Sequence, residues 1–404
     1  MTQPPLRPRS QRRLEWPMLL ATLGLMGLGA VFVASATLGG EGLAGTPWLR
    51  RGYVRQMIWY ALGSGLACVV CLRSYRWLSR WAMPVYWLAI LLLVAVLIPG
   101  IGSTQGWGAR RWLLLGPFQF QPSEFAKLAT ILALASYLGR PVDELRRVGL
   151  FLRSLGLCAL PFGLVLREPD LGSALMFMPV GLVMMFVAGV PTRFLVRTLG
   201  VAAVAVALLL ADILWAPNDW QVVRLEPYQK RRLMVYFGRS FVPAQATEAE
   251  RAQALRAYRD ASHNVDQALI SVGSGGLTGK GWRRGTQNAL GYLPRAVAHN
   301  DFIFSVIAEE SGFLGSVAVL GLYAVILFSG IRIAGQARDR LGLLLAAGVV
   351  ALFFGHVFVN IGMNIRLMPV TGIPLPLLSY GGTSVVCSLV ALGLLQNLQL
   401  HRQT

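Results

Sequence analysis

A series of apolar blocks, each about 20 residues long, constrains this chain more than any other feature, because that length spans a bilayer as a helix. Hydrophobic residues make up 55% of the 404 residues and charged residues only 14%, whereas a soluble domain is about 25% charged. This composition excludes disorder and argues against a cytosolic enzyme. The sequence therefore predicts an all-α, polytopic membrane protein with about ten transmembrane helices, at residues 17–38, 53–72, 81–99, 122–138, 147–166, 171–190, 193–215, 302–331, 341–365 and 378–399.

Arginine is concentrated in alternate connections between these blocks, and this predicts the orientation of the chain. The segments 1–16, 73–80, 139–147 and 332–340 are each arginine-rich, and the positive-inside rule places such loops in the cytoplasm. The cytoplasmic loops then account for the net charge of +19 without a nucleic acid partner. We expect both termini inside, with a cytoplasmic tail at 1–16, transmembrane helices 1–7 at 17–215, a large extracytoplasmic loop at 216–301, transmembrane helices 8–10 at 302–399 and a cytoplasmic end at 400–404.

The loop at 216–301 is long for a connection without structure of its own. Its segment 246–260 is rich in Ala, Glu, Gln and Arg, which favours a soluble helix, and Thr247 with Glu250 forms a capping box at its start. Glycine is then frequent over residues 271–282, where we expect the backbone to bend or to approach another segment closely.

Two ionisable residues, Glu124 and Lys127, lie at the start of the fourth apolar block. Their i, i+3 spacing puts them on one helix face, where they can pair. The pair either neutralises itself as a structural element or lines a cavity for an anionic headgroup, because ionisable residues within a span are costly and usually functional. Arg110 and Arg111, just before it, either anchor the chain at the interface or present planar guanidinium groups to phosphate oxygens.

Further polar residues mark the starts of the sixth and eighth blocks. Asp170 opens the sixth block and either caps the helix or belongs to the site. His299, Asp301, Glu309 and Glu310 surround the start of the eighth block, and the two glutamates must face a cavity or a partner.

A stripe of His356, Asn360 and Asn364 recurs at i, i+4 and i+8 in the ninth block. Such a stripe more often joins helices than binds a ligand. The chain has no Walker motif, no GxSxG and no HExxH, so an enzyme of this sequence would draw its energy from an activated substrate.

Six strings of the sequence follow the motif order of a known family, from the third apolar block to the C-terminus. They are GARRWLLLGPFQFQPSEFAKLA at 108–129, REPDLGSALM at 167–176, PYQKRRL at 227–233, ISVGSGGLTGKGW at 270–282, HNDFIFSVIAEESGFLG at 299–315 and NIGMNIRLMPVTGIPLPLLSYGGTS at 360–384. Together they resemble the SEDS family (shape, elongation, division and sporulation proteins). PVTGIPLP is similar to the elongation-type RodA branch rather than to the division-type FtsW branch.

The resemblance implies a peptidoglycan glycosyltransferase of the bacterial inner membrane that acts in cell-wall elongation and cell shape. Its substrate would be lipid II, a disaccharide-pentapeptide on undecaprenyl pyrophosphate. Its partner would be a class B penicillin-binding protein, which cross-links the product. A divalent cation, Mg²⁺ or Mn²⁺, is compatible with the family, although no ligand set can be read from the sequence.

The resemblance also implies roles for individual residues. An essential aspartate of the outer loop would act as general base, and its spacing to the glycine-rich string favours Asp260. The chain carries an insertion after Phe237, which leaves Asp266 as the competitor, although Asp266 could instead pair with Arg283 or Arg284. The implied substrate-binding residues are Arg110, Arg111, Glu124, Lys127, Asp170, His299, Asp301 and Glu309.

One departure from the family is Arg366, which stands where glycine is usual. Two rival classes of function remain open at this stage. A lipid II flippase would need an anion-lined path open to both sides of the membrane, but no loop carboxylate. A non-catalytic scaffold of the elongation or division complex would need partner-facing helix surfaces, but no polar cavity.

Overall fold

The computed structural model describes residues 14–38, 48, 51–103, 110–116, 118–215, 233–238, 248–293 and 298–402. Helices dominate these residues. They are α1 (Trp16–Leu38), α2 (Gly52–Leu72), α3 (Tyr75–Arg80), α4 (Ala82–Leu97), α5 (Pro122–Leu138), α6 (Val142–Leu145), α7 (Val148–Arg167), α8 (Leu171–Ala188), α9 (Thr192–Trp215), α10 (Glu248–Ser274), α11 (Thr286–Ala289), α12 (Ile303–Gly335), α13 (Arg340–Asn364) and α14 (Gly382–Leu400).

Within the described residues, 8 of these helices are long and apolar enough to cross a membrane, namely α1, α2, α7, α8, α9, α12, α13 and α14. Helices α4 and α5, of 16 and 17 residues, pack among them and complete the predicted set of about ten spans. The prediction of an all-α, polytopic membrane protein is confirmed.

Helix α5 lies at the centre of the bundle and is buried on all sides. Its small residues Ala126 and Ala129 pack towards α4, while Ile131 and Leu134 belong to the larger core shared with α8 and α13. A helix that is buried on every face has no side that water can reach. Any charged residue on α5 must therefore find its partner inside the protein.

A small sheet, which the sequence did not predict, connects α4 to α5. Its strands β1 (Gly102–Ser103), β2 (Trp112–Leu115) and β3 (Phe118–Phe120) are antiparallel in the order β1-β2-β3. Strand β3 leads into α5 through Gln121, whose backbone N–H donates to Thr383 Oγ1 at 3.1 Å. The sheet therefore ties the start of α5 to the start of α14.

Helix α12 is broken at Gly312, which has φ 67° and ψ −162°. The break frees backbone groups on either side, and the glycine-rich segment 275–281 binds them. Backbone N–H groups of Lys280 and Gly281 donate to the carbonyls of Glu309 and Glu310 at 3.0 and 2.9 Å. In return, the N–H groups of Phe313 and Leu314 donate to this segment at 2.9 and 3.1 Å.

The glycines of segment 275–281 permit this close approach, as the sequence predicted. A Cβ atom on Gly275 would collide with the carbonyl of Ala308, and one on Gly279 with the carbonyl of Glu310. Because the segment replaces the missing helical hydrogen bonds, the break in α12 leaves few unsatisfied groups.

Helix α10 is longer than the helix predicted at 246–260, because it continues to Ser274. Its later part buries Ser262, Val265 and Ala268, and this three-residue spacing docks one helical face onto α12 and α13. The prediction that the helix ends at Asp260 is therefore wrong. The predicted capping residue Thr247 lies outside the described residues.

Candidate active site

A buried group of three charged or titratable side chains lies at the start of α5. Lys127 Nζ is 2.6 Å from Glu124 Oε1 and 3.0 Å from His356 Nε2. The side chains of Lys127 and Glu124 are 2% and 4% exposed. The predicted pairing is confirmed, and α13 supplies a third member that the sequence had assigned to a helix-joining stripe.

Small internal cavities lie on both sides of this group. One is lined by Lys127 and Thr130 together with apolar residues of α8, and the other by Glu124, His356 and Ser388. Among the described residues, the pair therefore contributes to the walls of two small cavities. Enlarging either space would bring the cation of Lys127 or the carboxylate of Glu124 into contact with a ligand.

Arg111, the residue just before β2, braces the turn between α7 and α8. Its guanidinium donates to the backbone carbonyls of Glu168, at 3.4 Å, and Pro169. Arg110 beside it is exposed. Of the two predicted phosphate-binding arginines, Arg110 is therefore the one that faces outward, and Arg111 holds neighbouring backbone in place.

Asp170 caps α8, as one of its two interpretations predicted. Its Oδ1 accepts from the backbone N–H of Ser173 at 3.1 Å, and its Oδ2 accepts from Gln121 Nε2 at 3.2 Å. The second bond connects α8 to the residue that precedes α5. Asp170 thus helps to align the helix that carries Glu124 and Lys127.

Glu168 is a buried acid that the sequence analysis did not single out, although it stands in the REPDLGS motif. It is 1% exposed, and neither of its carboxylate oxygens has a hydrogen-bond partner among the described residues. Burial and, to a smaller extent, the neighbouring charge of Asp170 raise its pKa to about 9, although Arg111 opposes the shift. Glu168 lies between the spans of α7 and α8, and its raised pKa favours the protonated carboxylic acid.

The two glutamates of α12 have partners, as expected for acids in an apolar helix. Glu309, which is 1% exposed, accepts from Lys280 Nζ at 2.7 Å, from Thr286 Oγ1 at 3.1 Å and from the backbone N–H of Gln287 at 3.0 Å. Glu310 accepts from Ser35 Oγ at 2.5 Å. The sequence analysis did not predict Lys280 and Thr286 as partners of Glu309. The feature that could have indicated them is the polar sequence at the end of the glycine-rich segment.

His299 and Asp301 lie just before α12 and meet two other elements. The ring of His299 packs edge-on against Tyr380 at 5.2 Å. The carbonyl of Asp301 accepts from the side-chain amides of Asn360 and Asn364, each at 3.1 Å. The helix-joining interpretation of these two asparagines is confirmed.

The two candidate general bases lie on the same helix, α10. Asp260 belongs to it by its backbone, and its side chain lies outside what the structure describes. Asp266 forms an ion pair with Arg366, at 3.0 Å. Asp266 therefore pairs with Arg366 and not with Arg283 or Arg284, the partners considered from the sequence.

A divalent cation finds no ligand set in the part of the chain that the structure describes. No group of three or more His, Cys, Asp or Glu side chains comes together there.

The fold and the site define a polytopic membrane protein that holds paired charges inside its helical bundle. The family model described as "Cell cycle protein", FTSW_RODA_SPOVE, matches residues 16–404. The chain therefore belongs to this family, the SEDS proteins, and is a multi-pass bacterial membrane protein.

Similarity to individual proteins extends over nearly the whole chain. Peptidoglycan glycosyltransferase MrdB of Escherichia coli strain K12 is 35% identical over 96% of this chain and 94% of its own length. A probable peptidoglycan glycosyltransferase FtsW of Thioalkalivibrio sulfidiphilus is 35% identical over 99% of this chain and 92% of its own. A solved structure, described as "Structural coordination of polymerization and crosslinking by a peptidoglycan synthase complex", matches with a TM-score of 0.73 and 32% identity, covering 97% of this chain and 99% of that one.

Proposed function

We propose that this chain, a peptidoglycan glycosyltransferase, polymerises lipid II into glycan strands for cell-wall elongation. The observation that carries the proposal is the buried group of Glu124, Lys127 and His356 in a chain whose full-length relatives are named for this activity. The location is the bacterial inner membrane, with both termini in the cytoplasm and residues 216–301 outside. The arginine-rich connections support this orientation.

The chemical step is a displacement at an anomeric carbon. The C4 hydroxyl of one lipid II attacks the anomeric carbon of the muramic acid sugar at the end of another chain. The new C–O bond forms as the bond to the pyrophosphate breaks, the hydroxyl proton passes to a carboxylate, and the pyrophosphate leaves with the electron pair. Direct displacement at an α-linked donor gives a β-linked product.

Asp260 is the proposed general base, because a carboxylate must take up the hydroxyl proton as charge develops. The ion pair between Asp266 and Arg366 supports this choice over Asp266, since it already engages the competitor. Asp260 stands two residues before Ser262, which is buried. It is therefore carried by a docked helix rather than by an irregular loop.

Arg110 and Lys127 are the proposed binders of the pyrophosphate. Preorganised cations stabilise the negative charge that develops on a leaving group. Arg110 is exposed and can meet phosphate oxygens directly. Lys127 lines a small cavity, and Glu124, Asp170, His299, Asp301 and Glu309 hold the surrounding elements.

A flippase, the rival function, would need a polar path open to both sides of the membrane. The part of α5 beyond Lys127 instead contains the buried apolar residues Ile131, Leu134 and Leu138. This apolar half supports chemistry at one side of the membrane. A class B penicillin-binding protein is the proposed partner, supported by the match to a structure that concerns polymerisation and crosslinking.

Turnover of purified lipid II by the purified chain, with and without its transpeptidase, tests the proposal. Asp260→Asn keeps the shape of the side chain but cannot accept the proton, so we expect a loss of about 10² to 10⁴ in rate. Asp266→Asn should cost far less. Glu248→Gln, at an exposed position of the same helix, is the matched control and should polymerise normally.

Each outcome of this assay has a defined meaning. Normal polymerisation by Asp260→Asn with an inactive Asp266→Asn would transfer the role of base to Asp266. Normal polymerisation by both variants would exclude a base on α10. Transport of lipid II without polymerisation by the wild-type chain would favour a flippase. If the wild-type chain shows neither transport nor polymerisation, that result would favour a scaffold.

A further inference from the structure

We propose that Arg366 is a positioning residue for the catalytic carboxylate. Through its ion pair with Asp266, it fixes α10, the helix that carries Asp260, to the turn that follows α13. Arg366 Nη1 lies 3.0 Å from Asp266 Oδ1, and the two side chains are 36% and 41% exposed. The inference rests on the proposed function, because it concerns the placement of the proposed base.

The backbone conformation of Arg366 is unfavourable for an arginine, which indicates that its side chain makes a functional contact. Arg366 has a φ of 60°, a left-handed conformation that is uncommon for residues other than glycine. The turn is tight, since the N–H groups of Leu367 and Met368 both donate to the Gly362 carbonyl, at 2.8 and 3.1 Å. Glycine would adopt this conformation without strain, so an arginine here contributes through the acid that it reaches on α10.

The turn around Arg366 also holds a second part of the segment between α9 and α12. Tyr236 Oη donates to the carbonyl of Leu367 at 3.0 Å. The described residues 233–238 and helix α10 are therefore tied to the same short turn. Because that turn ends helix α13, both attachments connect the segment between α9 and α12 to the helical bundle.

Packing alone leaves the rotation of α10 loosely specified. In residues 262–274, the part of α10 whose side chains are described, the face that is buried against α12 and α13 consists of Ser262, Val265, Ala268 and Ser271. Small side chains allow close approach, but they offer little shape to prevent a helix from turning or sliding. An ion pair at Asp266, next to this face, supplies a directional contact.

The geometry sets the size of the expected effect. Asp260 and Asp266 are separated by about 9 Å along the helix axis, so a tilt of about 6° at Asp266 moves Asp260 by about 1 Å. A misplacement of about 1 Å can reduce a rate on the order of 10²-fold. Half-exposed ion pairs are weak restraints, and we therefore expect a smaller loss, about 3- to 10-fold in kcat.

The test measures kcat and KM for lipid II polymerisation in the full chain. Arg366→Gly removes the ion pair while it relieves the backbone, so we expect kcat to fall about 3- to 10-fold with KM and thermal stability unchanged. The matched control is Arg283→Gly, because Arg283 is another arginine with a φ of 60°. This control should keep the wild-type kcat.

A charge exchange separates positioning from chemistry. The double variant Asp266→Arg with Arg366→Asp restores the pair in reverse, and aspartate tolerates a left-handed backbone. We expect its kcat to return to within about twofold of wild type, as coupled residues do in a double-mutant cycle, while Asp266→Arg alone stays low. Recovery would show that Asp266 acts through Arg366 and is not itself the base.

Three results would overturn the inference. A wild-type kcat in Arg366→Gly would show that the ion pair does not position α10. A charge-exchanged variant that stays as slow as the single variants would show the same. A wild-type chain that fails to polymerise lipid II would overturn the proposed function, and this inference with it. The activity of the wild-type chain therefore distinguishes a failure of the proposed function from a failure of the positioning role alone.

Discussion

Lys127→Met removes the cation from the buried group of Glu124, Lys127 and His356 while it keeps a side chain of similar length. In the native structure Lys127 Nζ lies 2.6 Å from Glu124 Oε1 and 3.0 Å from His356 Nε2. The side chain of Glu124 is only 4% exposed, so water cannot replace the lost partner. Breaking a buried ion pair from one side costs about 3–5 kcal/mol, and we expect the free energy of unfolding to fall by that amount.

The double variant Glu124→Met with Lys127→Met separates structure from chemistry. It removes both charges, and the remaining penalty is the unpartnered Nε2 of His356, which costs about 1–3 kcal/mol. The double variant should therefore be about 2 kcal/mol more stable than Lys127→Met. If the pair belongs to the active site, the double variant should remain inactive in polymerisation although its stability is partly restored.

Thermal unfolding of the purified proteins and lipid II polymerisation measure the two effects separately. A Lys127→Met protein as stable as wild type would refute the argument from an uncompensated charge. A double variant that polymerises at the wild-type rate would refute a role for the pair in the site and would leave it a structural element. The two readouts are independent, so neither result conceals the other.

Glu168 should make stability depend on pH: burial raises its pKa to about 9, so the native state keeps a proton that the unfolded chain releases. As the pH rises from about 5 to 9, its contribution to the free energy of unfolding falls by up to about 1.4 kcal/mol per pH unit. Glu168→Gln should therefore make the free energy of unfolding depend less on pH in this range. A pH dependence equal to that of wild type would contradict this. Gly312→Ala should abolish folding, because a Cβ would collide with the backbone of Gly279, whereas Gly321→Ala, with open space around it, should fold normally. A cysteine at Ala252 should react with an impermeant thiol reagent from outside the membrane; reaction only after permeabilisation would reverse the proposed orientation.

The membrane spans were predictable because their signal is local. The block predicted at 17–38 is α1 at Trp16–Leu38, and the block at 147–166 is α7 at Val148–Arg167. Apolar length alone determines such elements. The i, i+3 pairing of Glu124 with Lys127 was predictable for the same reason, since both residues lie on one helical turn.

Contacts between distant parts of the chain were not predictable from one sequence. His356 is 229 positions from Lys127, and Asp266 is 100 positions from Arg366. Helical periodicity shows which face of a helix is polar, but it does not show which neighbour that face meets. The small sheet was missed because strands of 2 to 4 residues are too short to show a period.

Lys127 and Lys280 share an arrangement that bears on how an anion could bind. Lys127 is paired with Glu124, and Lys280 with Glu309, as expected because the two glutamates lie in apolar helices where an isolated charge is costly. A lysine already neutralised by a carboxylate attracts a pyrophosphate only if that carboxylate gives way. Lys127 has a second partner in His356, on a different helix, so movement of Glu124 would not leave the ammonium group without a hydrogen bond. Under the proposed mechanism, Glu124 therefore holds the cation in place until the substrate's own negative charge can replace it.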